Sequence, residues 1–216
     1  MMHCKIELIR RTQLAEDIFE LAFRPPGAFD FLAGQYIRFR YEGMERDYTL
    51  VSAPGESRLC ICIQKVMPPN FSAHLAACPM GEAFEISGPH GFFMRQPSPH
   101  TDVFVGTGTG VAPFAAYARA GASGFMLLQG AATPDRLIYR DLFRKAARTF
   151  VPCLSQIAEG AGKEAFRGRG TDYLETQLPG GTYQFYLCGR RQMILDAMDI
   201  IDHRFPGSRV FTEWFT

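Results

Sequence analysis

The sequence predicts a two-domain β + α/β protein, an antiparallel six-stranded β-barrel followed by a five-stranded parallel α/β domain. Three features predict it. Short β-rich runs separated by turn residues fill the chain up to Glu85, and strand and helix patterns alternate from Val103 onward. Between them lies Gln96-Pro97-Ser98-Pro99-His100, where two closely spaced prolines leave a strand ladder without donors.

In the first half the β-rich runs are Lys5–Arg10, Ile18–Phe23, Gln35–Tyr41, Arg46–Val51, Leu59–Val66 and Ala83–Ile86. Pro25-Pro26-Gly27, Ala33-Gly34 and Ala53-Pro54-Gly55 supply turns, and one short helix is expected from Phe71 to Ala77. In the second half the expected strands are Val103–Val105, Gly124–Leu128, Phe150–Leu154, Gln184–Leu187 and Arg209–Thr212. Helical stretches are expected at Ala112–Arg119, Pro134–Arg148, Asp172–Gln177 and Gln192–Arg204, and Ile157–Gly170 reads as a glycine-rich loop. Strand and helix in alternation imply a parallel sheet covered on both faces.

Composition excludes several classes. With 23 Lys and Arg against 22 Asp and Glu, the net charge of +1 provides no overall field for nucleic acid or an anionic membrane. The stretch from Val103 to Pro134 holds a single charge, Arg119, yet glycines and Pro113 interrupt it well short of the roughly 20 apolar residues a bilayer requires, so no membrane span is expected. Lys5, Arg10 and Arg11 break up the start of the chain before any secretory core could form, and a reducing cytoplasm is the expected location. The six cysteines contain no Cys-x-x-Cys pair, and the five histidines show no metal-ligand spacing, so neither an iron–sulfur centre nor a metal site is expected in the chain.

Four segments carry candidate chemistry. Gly106-Thr107-Gly108-Thr109-Gly110-Val111-Ala112-Pro113 follows an apolar strand and enters a helix. Its glycines let backbone approach a ligand, and the helix start offers free amides to a pyrophosphate. Its spacing departs from Gly-x-Gly-x-x-Gly, and a tight loop would look the same. In an extended Arg46-Asp-Tyr-Thr49, Arg46 and Tyr48 share one face, a cation beside an aromatic ring; an ordinary surface strand is the competing explanation. Tyr186-Leu-Cys-Gly189 ends a strand before a helix, where α/β sheets place ligands, although a lone cysteine there also serves as core packing. Phe211-Thr-Glu-Trp-Phe-Thr216 sets aromatic rings and a carboxylate at the end of the sequence, readable equally as hydrophobic packing.

Their order is more specific than any one of them. Arg46-x-Tyr-Thr49, Gly88-Pro-His-Gly91, Gly106 to Pro113, Cys188-Gly189 and a tail containing Glu213 together resemble the ferredoxin–NADP reductase family over nearly the whole chain. The resemblance implies a flavin-binding β-barrel domain at residues 1–98 and a nicotinamide-dinucleotide-binding α/β domain at 99–216. Arg46 would contact flavin phosphate, Tyr48 would pack on the isoalloxazine ring, and Thr49 would bond near N5 where the family more often has Ser. Asn70-Phe-Ser-Ala-His-Leu75 is similar to the family's Gly-x-x-Ser-x-x-Leu helix start, in which Ser72, Ala73 and neighbouring amides hold phosphate. Pro68-Pro69 stands where the usual glycine would precede it. FAD is the expected flavin, with FMN the alternative.

By the same resemblance Gly106, Thr107, Gly108, Thr109, Gly110 and Pro113 would seat NADPH or NADH, and Cys188 and Gly189 would flank its nicotinamide. Glu213 would polarise the site, and Phe215, with Trp214 as alternative, would cover the flavin. Thr49, Cys188, Glu213 and Phe215 form the expected catalytic set. Ser155-Gln156 replaces the Ser-Arg of many NADP-using relatives, which favours NADH unless Arg167, Arg169, Arg190 or Arg191 supplies the charge. The implied activity is hydride transfer between nicotinamide and flavin, with electrons passed to a separate iron–sulfur or haem protein such as a ferredoxin. A flavin reductase releasing reduced flavin, and a flavin-bearing subunit without turnover of its own, are the alternatives.

Overall fold

The computed structural model describes residues 2–66, 70–156 and 164–214. By contacts the chain divides into two units, Met1–Arg95 with Ala112–Ala120, and Gln96–Val111 with Gly121–Thr216.

The first unit is built on β1 (Met2–Ala15), β2 (Ile18–Arg24), β3 (Tyr36–Tyr41), β4 (Met44–Thr49), β5 (Leu59–Gln64) and β6 (Ala83–His90), with helix α1 (Phe71–Ala77) before β6. The strands form one antiparallel sheet in the order β4-β3-β6-β1-β2-β5. An antiparallel bridge between Leu50 and Ile61, with the Val51 amide donating to the Cys60 carbonyl at 2.8 Å, joins the two edges and closes the barrel. Alternating residues point inward, and Phe23, Phe39 and Phe84 meet edge to face at 5.5–6.0 Å in the core. β1 is longer than the apolar alternation predicts, because register shifts at Leu8/Arg10 and Gln13/Ala15 let it continue past the break in pattern.

Helix α2 (Ala112–Arg119) belongs to this first unit. Its Tyr117 hydroxyl donates to the Phe93 carbonyl, and Arg119 donates to Val51 O at 2.9 Å and to the nearly buried Glu20 at 2.7 Å. Glu20 also lies 3.5 Å from Arg10, so the carboxylate is matched from two directions.

The second unit holds β7 (Asp102–Thr107), β8 (Met126–Ala131), β9 (Thr149–Leu154), β10 (Phe166–Arg167), β11 (Gln184–Gly189) and β12 (Arg209–Trp214), all parallel, in the order β10-β9-β8-β7-β11-β12. The sheet therefore has six strands, not the five expected. The extra strand falls inside the glycine-rich stretch expected as loop; at two residues it is too short to show any periodicity. Helices α3 (Arg140–Ala146), α4 (Gly170–Thr176) and α5 (Arg191–Arg204) complete the unit. The helix expected over Pro134–Arg148 is broken: a 3-10 turn at Pro134–Arg136 precedes Tyr139, whose φ of 57° stops one segment before α3 begins. β7 and β11 are almost wholly buried, as central strands covered on both faces must be.

Candidate functional site

On the barrel unit the Arg46-Asp-Tyr-Thr49 segment occupies β4, as expected. Arg46 is exposed and donates to its neighbour's carbonyl, Glu45 O, at 2.8 Å. Tyr48 is half-buried, edge-on to Phe39 at 5.6 Å, and its hydroxyl lies 2.9 Å from Ser72 Oγ. Burial pushes the Tyr48 phenol up, against the Ser72 hydrogen bond and the Arg46 charge, so it stays neutral at physiological pH. Thr49 is sealed, 3% exposed, opposite Tyr36.

Ser72 and Ala73 lie in the first turn of α1, where Asn70 is the N-cap: its side-chain oxygen accepts from the Ser72 amide at 2.9 Å and the Ala73 amide at 3.3 Å. The cap holds two amides that the sequence assigned to phosphate, and the Ser72 hydroxyl is engaged with Tyr48. Asn70 was not singled out from the sequence as a cap, though an Asn just ahead of a helical run is its usual signal. Pro68 and Pro69 lie outside the described residues.

In the second unit the chain runs from β7 through a 3-10 turn, Gly108–Val111, into α2 with Pro113 at its second position. β7 neighbours β8 on one side and β11 on the other, so the order of connection reverses between β7 and β11. Such a reversal opens a crevice beyond the strand carboxyl ends. Thr107 ends β7 and Gly189 ends β11, with Gly106 paired to Cys188.

Here the backbones nearly touch. A Cβ on Gly110 would lie 2.4 Å from Cys188 O and 2.6 Å from Gly189 Cα, closer than any side chain permits. A Cβ on Gly189 would fall 2.5 Å from Thr107 Oγ1, and one on Gly130, at the end of β8, 2.8 Å from Thr107 Cγ2. By contrast, a Cβ on Gly108, at φ +56°, would meet nothing within 4 Å. Gly110 and Gly189 are thus demanded by protein packing, while Gly108 borders open space. The buried Thr107 Oγ1 finds no hydrogen-bond partner among the described residues. Gly130 escaped the sequence reading; a glycine closing a buried strand is its signal.

Cys188 is fully buried, and burial, then the charge of Glu213, push its thiol well above the ordinary range, so it does not ionise near neutrality. Glu213 is half-buried on β12, in register with Cys188. Trp214 is 52% exposed, and Phe215 lies outside the described residues.

Residues 5–94 match the family model described as an oxidoreductase FAD-binding domain, and residues 104–199 match the oxidoreductase NAD-binding domain. Ferredoxin--NADP reductase B of Sorangium cellulosum is 33% identical over 185 residues, spanning 80% of this chain and 75% of that protein. The chain belongs to the ferredoxin–NADP reductase family. The reductase component of propane 2-monooxygenase from Mycolicibacterium goodii is 28% identical over 98% of this chain and 67% of its own length. A ferredoxin NADP+ reductase from Neisseria gonorrhoeae, solved with bound FAD and NADP, superimposes with a TM-score of 0.83 at 20% identity, covering 99% of both chains.

As a member of this family the chain is an NAD(P)H-dependent flavoprotein reductase that uses FAD. The residues present fit both groups. An unpartnered hydroxyl on Thr107, at a strand end followed by the open position at Gly108, suits a dinucleotide phosphate or carboxamide. A half-buried neutral tyrosine with a cation two residues before it on the same strand suits a flavin ring and its phosphate. Among the described residues no group of three or more potential metal ligands occurs, and no helix is long and apolar enough to cross a membrane.

Proposed function

We propose that the chain takes hydride from NAD(P)H onto FAD and delivers electrons to a separate protein carrying an iron–sulfur or haem centre. The observation that carries the nucleotide half of this reading is the reversal of strand order between β7 and β11, with the orphaned Thr107 hydroxyl at its edge. The acceptor follows from the relatives: one is named for ferredoxin, another as the reductase component of a monooxygenase. Bound FAD supplies the conversion between a two-electron hydride donor and the electrons an acceptor receives.

The chain's own residues bind, orient and shield. Arg46 neutralises the flavin phosphate, Ser72 and Ala73 border it, and Asn70 fixes the helix start. Tyr48 supports the isoalloxazine ring, and the Thr49 hydroxyl serves its N5 edge. Amides of Gly106, Thr107, Gly108, Thr109 and Gly110, with Pro113 pre-setting the helix, hold the dinucleotide. Cys188 and Gly189 flank the nicotinamide through backbone, since the neutral Cys188 thiol faces the core. Glu213 would polarise or orient the site, and Phe215 would cover the flavin and compete with nicotinamide.

Residues 1–98 form the flavin domain and 99–216 the nicotinamide domain in this reading. Gln156, exposed just beyond β9, offers no guanidinium for a 2′-phosphate, which favours NADH. Six free cysteines fit a cytoplasmic location. The test is NAD(P)H oxidation with a plant-type ferredoxin and cytochrome c as final acceptor, after desalting. The expected result is retained yellow colour and ferredoxin-dependent turnover. A colourless protein whose turnover depends instead on added free flavin would overturn the proposal.

A further inference from the structure

Thr49 ends β4 at the position the flavin reading gives to the N5 edge, and the chain then crosses to β5 with its backbone tied at each step. The Leu50 amide donates to Gln35 O at 3.0 Å, and Leu50 bridges to Ile61. The Val51 amide donates to Cys60 O at 2.8 Å, and Ser52 Oγ accepts from the Cys60 amide at 3.1 Å. Leu50, Val51 and Ser52 are fully buried, so Thr49 stands at the head of a crossing with little room to shift.

The Val51 carbonyl is held from α2. Arg119 Nη1 donates to it at 2.9 Å, while Nη2 of the same guanidinium donates to Glu20 Oε2 at 2.7 Å. Glu20 stands on β2 opposite Cys62 of β5, so one planar group spans the sheet and the crossing. The fork is rigid: once the carboxylate fixes its plane, the second donor has a set direction. The Glu20 side chain is 8% exposed and that of Arg119 25%, so water competes weakly for either contact.

Two residues earlier the Tyr117 hydroxyl donates to Phe93 O, and Phe114 packs against the Phe93 ring at 6.3 Å. Helix α2 therefore keeps its seat on the barrel without Arg119. Set against well-packed apolar residues, a buried ion pair adds little net stability. What this pair adds is a donor fixed on one carbonyl, two residues from Thr49.

We propose that Arg119 is a positioning residue for flavin reduction: aimed by Glu20, it holds the Val51 carbonyl and through it keeps the Thr49 hydroxyl aligned with the flavin N5 edge. The inference rests on the flavin reading above. The decisive variant combines Arg119→Met with Glu20→Gln, which takes away the donor to Val51 and the buried carboxylate together. Flavin reduction by NADH is followed by anaerobic stopped flow at saturating FAD, beside urea unfolding of the same proteins. The double variant should regain most of the urea midpoint that Arg119→Met alone loses. Its limiting rate constant for reduction should stay about tenfold below wild type, with the half-saturating NADH concentration within about twofold. The loss is smaller than the roughly hundredfold of a 1 Å misplacement because the Leu50 and Val51 amides keep their partners. A merely structural Arg119 would restore rate and midpoint together. That result, or a wild-type rate in Arg119→Met, would overturn the positioning role while the flavin site stands. A wild-type chain that takes up no FAD would overturn both. Should Arg119→Met alone fail to fold, the double variant against wild type still decides.

Discussion

Gly110→Ala places a methyl group 2.4 Å from Cys188 O, 2.6 Å from Gly189 Cα and 2.7 Å from Cys188 C. All three are backbone atoms of a central strand and its end, so no side chain can swing aside. Ordinary contact begins at 3.4 Å, and 3.4 − 2.4 leaves about 1.0 Å by which the turn must move off β11. Overpacking of this kind costs about 1–3 kcal/mol of stability. A displacement near 1 Å in a positioning element costs on the order of a hundredfold in rate. Anaerobic stopped-flow measurement should therefore find flavin reduction by NAD(P)H slowed about a hundredfold, with reduction by dithionite and retention of FAD unchanged. Gly108→Val provides the contrast: no protein atom lies within 4 Å of that Cβ, so the loss of NAD(P)H reduction there would come from side-chain atoms entering the ligand's space and from the left-handed φ of +56°. Wild-type reduction kinetics in Gly110→Ala would refute the crevice as the dinucleotide site.

Other outcomes follow from the same structure. Tyr48→Leu removes a ring worth about 0.5–1.5 kcal/mol beyond its area, so FAD affinity should fall several-fold in fluorescence titration while NAD(P)H-independent folding is kept. Arg119→Met removes the 2.7 Å partner of the nearly buried Glu20, and urea unfolding should show a loss of about 3 kcal/mol, largely recovered by adding Glu20→Gln. Burial pushes the Cys153 thiol up to about 12 and the Cys60 thiol up to about 11. The unfolded chain releases these protons first, so the stability they contribute is whole below about pH 8.5 and is lost as pH rises towards those values, by up to ~1.4 kcal/mol per unit per thiol. Urea unfolding between pH 8 and 10.5 should show that decline, shallower in Cys153→Ala. Phe215→Ala should change the KM for nicotinamide more than flavin retention, and unaltered kinetics would count against its covering role.

The division into barrel and α/β halves was legible because the hydrophobic period changes from strand alternation to strand and helix alternation at the proline pair near residue 98. Strands such as β5 and β11 announced themselves through continuous apolar runs. β10 could not, since two residues carry no period and its pairing with Cys153 and Leu154 is a tertiary fact. Tyr139 was equally invisible: its left-handed φ breaks a helix that composition alone would continue. Glycine spacing located the turn at residues 106–110, yet which glycine is crowded depends on β11, distant in the sequence and adjacent only in the sheet. The same holds for Thr107, whose unpaired hydroxyl emerges only when Gly189 and Gly130 are brought beside it. Asn70 shows the reverse failing, a cap signal present in the sequence but overshadowed by the phosphate motif two residues later.

The most direct measurement is an absorbance spectrum of the purified chain followed by anaerobic titration with NADH and then NADPH. A bound flavin spectrum that bleaches on adding one equivalent of pyridine nucleotide, with NADH the better reductant, is the predicted result. A flavin spectrum indifferent to either nucleotide, in protein that dithionite still bleaches, would contradict it.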